Sequence, residues 1–343
     1  MAGKERAKSE LKPDALVTVF GGSGFLGQHV VQALGRRGYR VRVAVRRPND
    51  ALFLKTSGVV GQIEPIQANI RDERSVRDAL EGAAAVINLA GIMSESGAQR
   101  FEAVHAAGAE RIARATAAAG IPILIHVSAL GADEQSPSSY ARSKARGEEA
   151  VRRHAPQAAI LRPSVMFGAD DRFINRFAAL MRLVPVFFPL IGGATRFQPV
   201  YVKDVAEAVV RALETDAADG KVLELGGPAT LTMRQIMELV LRETCRKRVL
   251  VPMPGIVAKL QAWFLQLLPN PLLTVDQVRL LGIDNVVSES ARDEGRTLEG
   301  LGLAPVAPDA IVPAYLVRFR RRGQFEPAPD FVQIAENKEL KQS

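Results

Sequence analysis

Ala15-Leu16-Val17-Thr18-Val19-Phe20-Gly21-Gly22-Ser23-Gly24-Phe25-Leu26-Gly27 runs from a short apolar segment rich in β-branched residues straight into a glycine turn. A helical pattern follows, with Val30, Val31 and Leu34 on one side, and stops at Gly38; residues 39–45 are again β-like. Strand, glycine turn, helix, strand is the opening of a parallel α/β sheet. Gly21, Gly24 and Gly27 are spaced G-x-x-G-x-x-G. The first glycine permits the tight turn, the second lets a pyrophosphate approach the backbone, and the third lets the helix pack closely on the strand. The helix start, through Ser23, Phe25 and Leu26, then presents free N–H groups and a partial positive charge to phosphates.

Outward from this stretch the alternation continues. Residues 63–67 read as a strand, 75–80 as a short helix, 85–89 as a buried strand, and 98–119 as an Ala-rich helix stopped by Gly120. Residues 121–127 read as a strand, 139–154 as a helix and 158–161 as a strand. Strands without polar alternation, separated by helices, suit a sheet covered on both faces. The predicted fold class is therefore α/β, a Rossmann-type doubly wound parallel sheet with a smaller, mainly helical C-terminal lobe. Residues 1–14 read as a flexible N-terminus, 15–165 as the dinucleotide-binding domain, 166–323 as the lobe, with return elements to the sheet near 199–225, and 324–343 as a polar tail.

The 343 residues are 47% hydrophobic and 24% charged, an ordinary globular balance that excludes wholesale disorder. The formal charge of +8 favours anionic partners. No aromatic-interleaved basic stripe or nucleic-acid module is found, so nucleic acid ranks last among them. The single cysteine, Cys245, excludes an intrachain disulfide and a cysteine metal cluster. His29, His105, His126 and His154 are scattered without metal-ligand spacing, so no metal is expected and each histidine reads as structural. The start lacks the apolar core of a secretory signal and carries acids that transit peptides avoid, and no stretch of about 20 apolar residues predicts a membrane span.

The end of the second strand discriminates between cofactors. Val43-Ala44-Val45-Arg46-Arg47-Pro48 has no acid for a ribose 2′-hydroxyl, whereas Arg46 and Arg47 offer forked donors to a 2′-phosphate. NADP(H) is the expected cofactor, with NAD(H) second. Tyr140-Ala141-Arg142-Ser143-Lys144 puts a phenol and an ammonium on one helix face. An ammonium there would lower the phenol's pKa and equip Tyr140 to protonate a carbonyl receiving hydride, with Ser128 at the preceding strand end as a hydrogen-bond partner for that oxygen.

Together these motifs resemble the short-chain dehydrogenase/reductase superfamily in its extended or atypical branch. Asn88-Leu89-Ala90-Gly91 is similar to the family's segment beside the cofactor, and Arg162-Pro163-Ser164-Val165-Met166-Phe167-Gly168 to its nicotinamide-side loop. The resemblance covers residues 15–240 and implies cofactor contacts at Ala90, Gly91, Pro163, Ser164 and Phe167, beside Tyr140 and Lys144. Asn69, followed by Ile70, stands where the family often carries an acid near the adenine. A narrower similarity, in the segments 139–148, 163–175 and 198–202, is to the alpha subcomplex subunit 9 family of mitochondrial respiratory complex I and its bacterial relatives. That resemblance implies NADPH held by an accessory subunit without turnover, in a family that includes proteins tied to ubiquinone synthesis.

Two functions follow. One is an NADP(H)-binding accessory or assembly subunit of a membrane quinone-linked, complex I-like assembly. The other is an NADPH-dependent reductase of a quinone-precursor, isoprenoid or steroid-like carbonyl. Residues 255–268 form the most apolar helical candidate, too short to span a bilayer but able to lie in its interface with Trp263 at headgroup level, or else to serve as a core helix. Arg318, Arg320, Arg321 and Arg322 form a basic cluster suited to anionic lipid or an acidic partner. The charged run Asp170-Asp171-Arg172 reads as a surface turn. The expected location is the cytoplasmic face of a bacterial inner membrane, peripherally attached.

Overall fold

A computed structural model describes residues 11–12, 14–266 and 273–326. Most of the expected flexible start and polar tail, and positions 267 and 268 of the helix expected at 255–268, lie outside the described residues. In chain order the elements are β1 (Leu16–Phe20), α1 (Phe25–Arg36), β2 (Arg40–Val45), β3 (Ile63–Gln67), α2 (Glu73–Leu80), β4 (Ala85–Asn88), α3 (Ala107–Ala118), β5 (Ile123–Val127), α4 (Ser139–His154) and β6 (Ala159–Pro163). Then come β7 (Met166–Phe167), α5 (Ile174–Leu183), β8 (Phe187–Leu190), β9 (Arg196–Phe197), β10 (Val200–Tyr201), α6 (Val202–Glu214), β11 (Val222–Leu225), β12 (Leu231–Thr232), α7 (Met233–Glu243), β13 (Val249–Pro252), α8 (Gly255–Leu265), α9 (Val275–Leu280), α10 (Glu289–Asp293) and α11 (Pro308–Leu316).

Among the described residues these elements make two compact units, one within 11–164, 202–226 and 287–305, the other within 165–201, 227–286 and 306–326. The chain thus returns to the first unit twice, through α6 and β11, and again through α10. The second return carries no periodic pattern in sequence. It is held by hydrogen bonds to β11: Ser288 N–H donates to Glu224 Oε2 at 2.7 Å, Glu224 N–H to the Arg296 carbonyl at 2.9 Å, and Arg296 Nη1 to the Val222 carbonyl at 2.8 Å.

The first unit is a seven-stranded sheet in the order β11-β6-β5-β4-β1-β2-β3, with every neighbouring pair parallel. Register brings the strand ends level, Phe20 opposite Ala44 and Asn88, and Asn88 opposite His126. One face, through Phe20, Ala44, Val86, Leu124 and Ile160, packs on Val76 and Leu80 of α2, Ile112 of α3 and Val151 of α4. On the other, Val19 and Val43 come together with Val31 of α1, and α1 packs along α6. Burial on both faces is why these strands read as continuous apolar runs. Fully burying a side chain such as Phe20 contributes roughly 1.5–3 kcal/mol. Thr18, the polar residue inside β1, is fully buried and donates to the Ala79 carbonyl at 3.0 Å, so its hydroxyl is satisfied.

A buried ion network fixes α4 against β6. Glu148 of α4, wholly inaccessible, accepts both ends of the Arg162 fork at 2.8 and 2.7 Å and Arg152 at 3.1 Å, while Arg162 also lies 3.8 Å from Glu224 of β11. The bidentate geometry sets where α4, and with it Tyr140 and Lys144, stands on the sheet.

The second unit has its own core, in which Phe167, Ile174, Met181, Phe188, Met237, Val240 and Leu316 are buried. Asp171 corrects the expected surface turn: it is buried, and its carboxylate accepts N–H groups of Phe173 and Asn175 and the Tyr315 hydroxyl at 2.9 Å, so it organises the start of α5. The arginine cluster at 318–322 is corrected too. Arg318, though exposed, bonds the Ala169 carbonyl and Asn175 Oδ1, and the Arg320 side chain, 8% exposed, bonds the Glu243 carbonyl; Arg321 and Arg322 are exposed. Guanidinium forks beside unfilled carbonyls satisfy acceptors that would otherwise lose their hydrogen bonds. Finally, α8 buries only an alanine stripe. Ala258 and Ala262 pack on Val278 of α9, whereas Ile256, Leu260, Trp263 and Phe264 are 84%, 60%, 51% and 59% exposed. This excludes the core-helix alternative for the described part of α8. Among the described residues no helix is long and apolar enough to cross a membrane.

Candidate functional site

The level strand ends of the first unit carry the glycine turn, the Ala90-Gly91 segment and Ser128 to one edge, where open α/β sheets bind ligands. Gly21 has φ +78°, a left-handed backbone, and a Cβ there would lie 3.0 Å from the Ala90 nitrogen and the Leu89 carbonyl. A Cβ on Gly27 would come within 2.5 Å of the Gly21 oxygen, so α1 seats directly on the turn. The first turn of α1 has Gly24 as its cap, no side-chain cap bond and no acid. Its N–H groups and dipole are therefore left for an external anion, and Ser23 and Phe25 flank them. This cradle fits a dinucleotide pyrophosphate.

Arg46, at the end of β2, is exposed and lines a concavity of about 410 Å³ with Gln67, Ala68, Asn69, Arg71, Asp72 and Ser75. The structure thus brings the sequence-expected Arg46 and Asn69 together and adds Arg71, which sequence reasoning missed. Asn69 Oδ1 accepts the Arg71 backbone N–H at 3.1 Å, and Arg71 Nη1 donates to the Ala98 carbonyl at 3.0 Å. Arg47 does not line this space; it is exposed and 4.0 Å from Asp50. Ile70 packs into the core, its Cδ1 2.8 Å from where a Cβ on Gly108 would stand.

The other end of the site is built on α4. Lys144 is buried, and its Nζ donates to the Val127 carbonyl at 3.2 Å, one residue before Ser128. A Cβ on Gly91 would lie 3.6 Å from Lys144 Nζ and 3.7 Å from His105 Nε2, which places Gly91 and Ala90 beside the lysine. Desolvation lowers the Lys144 ammonium to about 8, opposed by Glu148. The expected lowering of the Tyr140 phenol is not found: desolvation raises it to about 12. The physical reason is burial: the phenol sits in a low-dielectric wall beside Phe101 and His105, with ring centroids 5.7 and 5.3 Å away.

Two histidines read as scattered in sequence converge here. His105 Nε2 accepts the Ile92 N–H at 3.0 Å, so its proton is assigned to Nδ1, which meets Ser143 Oγ at 2.9 Å; Ser143 in turn donates to the Tyr140 carbonyl. His126 Nδ1 lies 3.0 Å from Asn88 Nδ2, and Asn88 Oδ1 accepts from Ala90 N–H. Burial first, and then the Lys144 charge, hold both imidazoles neutral, near about 2 for His105 and about 3 for His126. His105 lies in a π turn, Glu102–Ala106, that interrupts the helix expected at 98–119. Such turns add one residue to the pitch and leave no mark in a hydrophobic pattern. Ser128 Oγ is buried with no hydrogen-bond partner among the described residues, an orphan donor suited to a ligand oxygen. Pro163 and Ser164 are buried at the end of β6, Ser164 N–H donating to the Leu225 carbonyl at 2.9 Å. Phe167 belongs to the core of the second unit, stacked on Tyr201 at 5.6 Å.

A seven-stranded parallel sheet with a glycine cradle at its edge defines a dinucleotide-binding protein of the extended short-chain dehydrogenase/reductase type. The chain belongs to the NAD dependent epimerase/dehydratase family, which matches residues 17–226, and within it to the alpha subcomplex subunit 9 family of respiratory complex I. It is 37% identical over 324 residues to the mitochondrial NADH dehydrogenase (ubiquinone) 1 alpha subcomplex subunit 9 of Arabidopsis thaliana, covering 90% of this chain and 79% of that protein. It is also 34% identical over 195 residues to the ceramide reductase of Caulobacter vibrioides, covering 57% of this chain and 60% of the reductase. Among solved structures, an NADPH-dependent quinone oxidoreductase of Escherichia coli complexed with NADPH has the same fold, with a TM-score of 0.66 at 21% identity over 88% of this chain and 99% of that one.

Proposed function

We propose that this protein is an NADP(H)-binding accessory or assembly subunit of a membrane-bound, quinone-linked respiratory complex of the complex I type, held peripherally on the cytoplasmic face of a bacterial inner membrane. The observation that carries this reading is the extent of the likeness to a complex I subunit: it spans 90% of the chain and so includes both units, not the dinucleotide fold alone.

In this reading the first unit holds the nucleotide as a resident ligand. Gly21, Gly24 and Gly27 seat the pyrophosphate on α1, and Arg46 takes the 2′-phosphate while Asn69 borders the adenine side. Lys144, Ala90 and Gly91 line the nicotinamide end. Bound NADPH would supply a hydride donor. Burial raises the Tyr140 phenol and Lys144 Nζ donates to the Val127 carbonyl, which suits a site that holds the nucleotide. The exposed apolar side of α8, with Trp263, supports attachment at a membrane interface. The test is purification from native membranes with identification of co-purifying subunits and assay of bound nucleotide. NADPH and subunits of a respiratory complex are expected; a lone protein free of NADP(H) refutes the reading.

A second reading, a reductase of a quinone-precursor, isoprenoid or steroid-like carbonyl, is favoured by the Tyr140/Lys144 pair one turn apart on α4 and by the orphaned Ser128 hydroxyl. Tyr140 would donate its proton to the carbonyl oxygen and Ser128 would orient it. NADPH oxidation with such carbonyls tests it. Tyr140→Phe should cut turnover by about 10²-fold or more while leaving cofactor affinity intact. A fully active variant removes Tyr140 as the donor.

A further inference from the structure

Three segments of the second unit bring arginines together. Arg248 at the start of β13 is tied to the end of α5, its Nε donating to the Val184 carbonyl at 2.6 Å, two residues beyond Arg182. The same ends are joined by the Val249 N–H to the Val186 carbonyl at 3.0 Å. Arg246 is tied to a third segment, its Nη2 donating to the Phe319 carbonyl at 3.0 Å, two residues before Arg321. Arg246 Nε is buried and has no acceptor among the described residues. Desolvation, followed by the like charges of Arg248, Arg182 and Arg321, lowers the Arg246 guanidinium; Glu326 opposes them, and its Oε2 already accepts the Arg322 N–H at 3.1 Å. Mutually repelling guanidinium groups, one with an unmet buried N–H, are an arrangement that a bound anion relieves.

Beside these charges the surface turns apolar. Leu183, Val186, Phe187 and Val249 are 81%, 50%, 63% and 54% exposed on the same segments that carry Arg182 and Arg248. Contiguous exposed apolar groups next to cations match an amphiphile rather than a small soluble anion.

We propose that Arg182, Arg246, Arg248 and Arg321 form a binding site for the phosphate of an anionic phospholipid headgroup, with Leu183, Val186, Phe187 and Val249 as the edge that meets the acyl region. Arg246 and Arg248, fixed through backbone carbonyls, supply preorganised donors, and the exposed Arg182 and Arg321 supply charge. The site differs from the one expected in sequence, since Arg318 and Arg320 are hydrogen-bonded to acceptors at 169, 175 and 243 while Arg182, Arg246 and Arg248 lie far from residue 321 along the chain. The choice of a lipid as the source rests on the peripheral-membrane part of the proposed function, but no nucleotide-site residue is involved.

The experiment is co-sedimentation of the purified full chain with vesicles of phosphatidylcholine alone or of an equal mixture of phosphatidylcholine and phosphatidylglycerol, at physiological ionic strength. Binding to the mixed vesicles only is expected. The double variant Arg182→Glu/Arg321→Glu, altered at exposed positions, should lose about tenfold or more in vesicle affinity with unchanged thermal unfolding and NADPH affinity. Equal binding to both vesicle types, or wild-type binding by the variant, overturns the proposal. Inorganic phosphate distinguishes the sources: if it binds the protein without vesicles and displaces the mixed vesicles at constant ionic strength, the site takes soluble phosphate and the lipid assignment falls. Failure to bind either vesicle, with loss of co-purifying subunits in the variant, assigns the patch to an acidic protein and likewise overturns it. Vesicle binding by a protein that retains no nucleotide and no respiratory partner would sink the proposed function while leaving this site standing.

Discussion

The two units differ in how much charge and apolar area they leave at the surface. In the first, charged groups go inside and are matched: Glu148 is fully buried between Arg162 and Arg152, and Lys144 is buried on a backbone carbonyl. In the second, beside the buried Asp171 and the Arg320–Glu243 pair, Arg182, Arg246, Arg248 and Arg321 repel one another with Glu326 opposing them, and the side chains of Ile256, Leu260, Trp263, Phe264 and Phe187 stand in solvent. Matched interior charges fix geometry, which a cofactor cradle needs. Unmatched charge and exposed apolar area gain their partners only from another surface. The first unit leaves α1 N–H groups and the Ser128 hydroxyl open toward one edge of its sheet, and the second leaves charge and apolar area open on its surface.

The contrast can be broken most directly at the buried network. Arg162→Leu leaves Glu148 without its bidentate partner and should cost roughly 3–5 kcal/mol in urea unfolding; a loss below about 1 kcal/mol would mean that the network does not organise the first unit. Next in size is the buried lysine. Burial brings it to about 8, below the ordinary lysine value of 10.5, so the charged form is disfavoured on folding. Stability should therefore rise as pH climbs from 8 towards 10.5, by up to roughly 3 kcal/mol relative to Lys144→Met. Parallel pH curves for the two proteins would refute the assigned burial.

Smaller effects sharpen the comparison at the ligand end of the first unit and on the face of the second. Arg46→Ala should remove most of a preference for NADPH over NADH, about tenfold or more in affinity, whereas Arg47→Ala should change it little, since only Arg46 lines the concavity. Equal effects of the two substitutions on nucleotide titrations would restore both arginines as ligands. Replacing Trp263 and Phe264 with serine should shift stability by no more than about 0.5 kcal/mol, because both are already exposed. It should nonetheless increase the soluble fraction of the untagged protein on fractionation and leave NADPH binding in place. Unchanged partition would remove α8 from the membrane-facing surface.

Legibility in the sequence followed the range of the forces involved. The strands and helices of the first unit were readable because two-sided burial writes itself as unbroken apolar runs, as in 15–20 and 85–89, and because Gly21 and Gly27 are demanded by local backbone contacts. Tyr140 and Lys144 were readable as a helical pair, but the state of the phenol was not, since desolvation by Phe101 and His105 depends on contacts 35 to 39 residues away in the chain. Arg71 escaped notice because only folding sets it beside Arg46. The arginines at 318–322 looked like one cluster because they are neighbours in sequence, yet two of the four hydrogen-bond inward to acceptors at 169, 175 and 243.

The π turn at Glu102–Ala106 bears on how this chain tolerates changes of length. A helix that holds one residue beyond its regular pitch can absorb the loss of that residue, and the downstream phase survives. Deleting Ala103 should therefore leave Ile112, Ala113 and Thr116 facing the core as before, and a folded domain is expected. His105 would not survive the change in place, because its contact with the Ile92 N–H and the close seating of its carbonyl on Gly147, where a Cβ would come within 2.2 Å, both depend on the extra residue. A single codon thus separates an architecture that endures from a pocket that does not, and lineages that lose it would be expected to keep the scaffold and abandon the ligand.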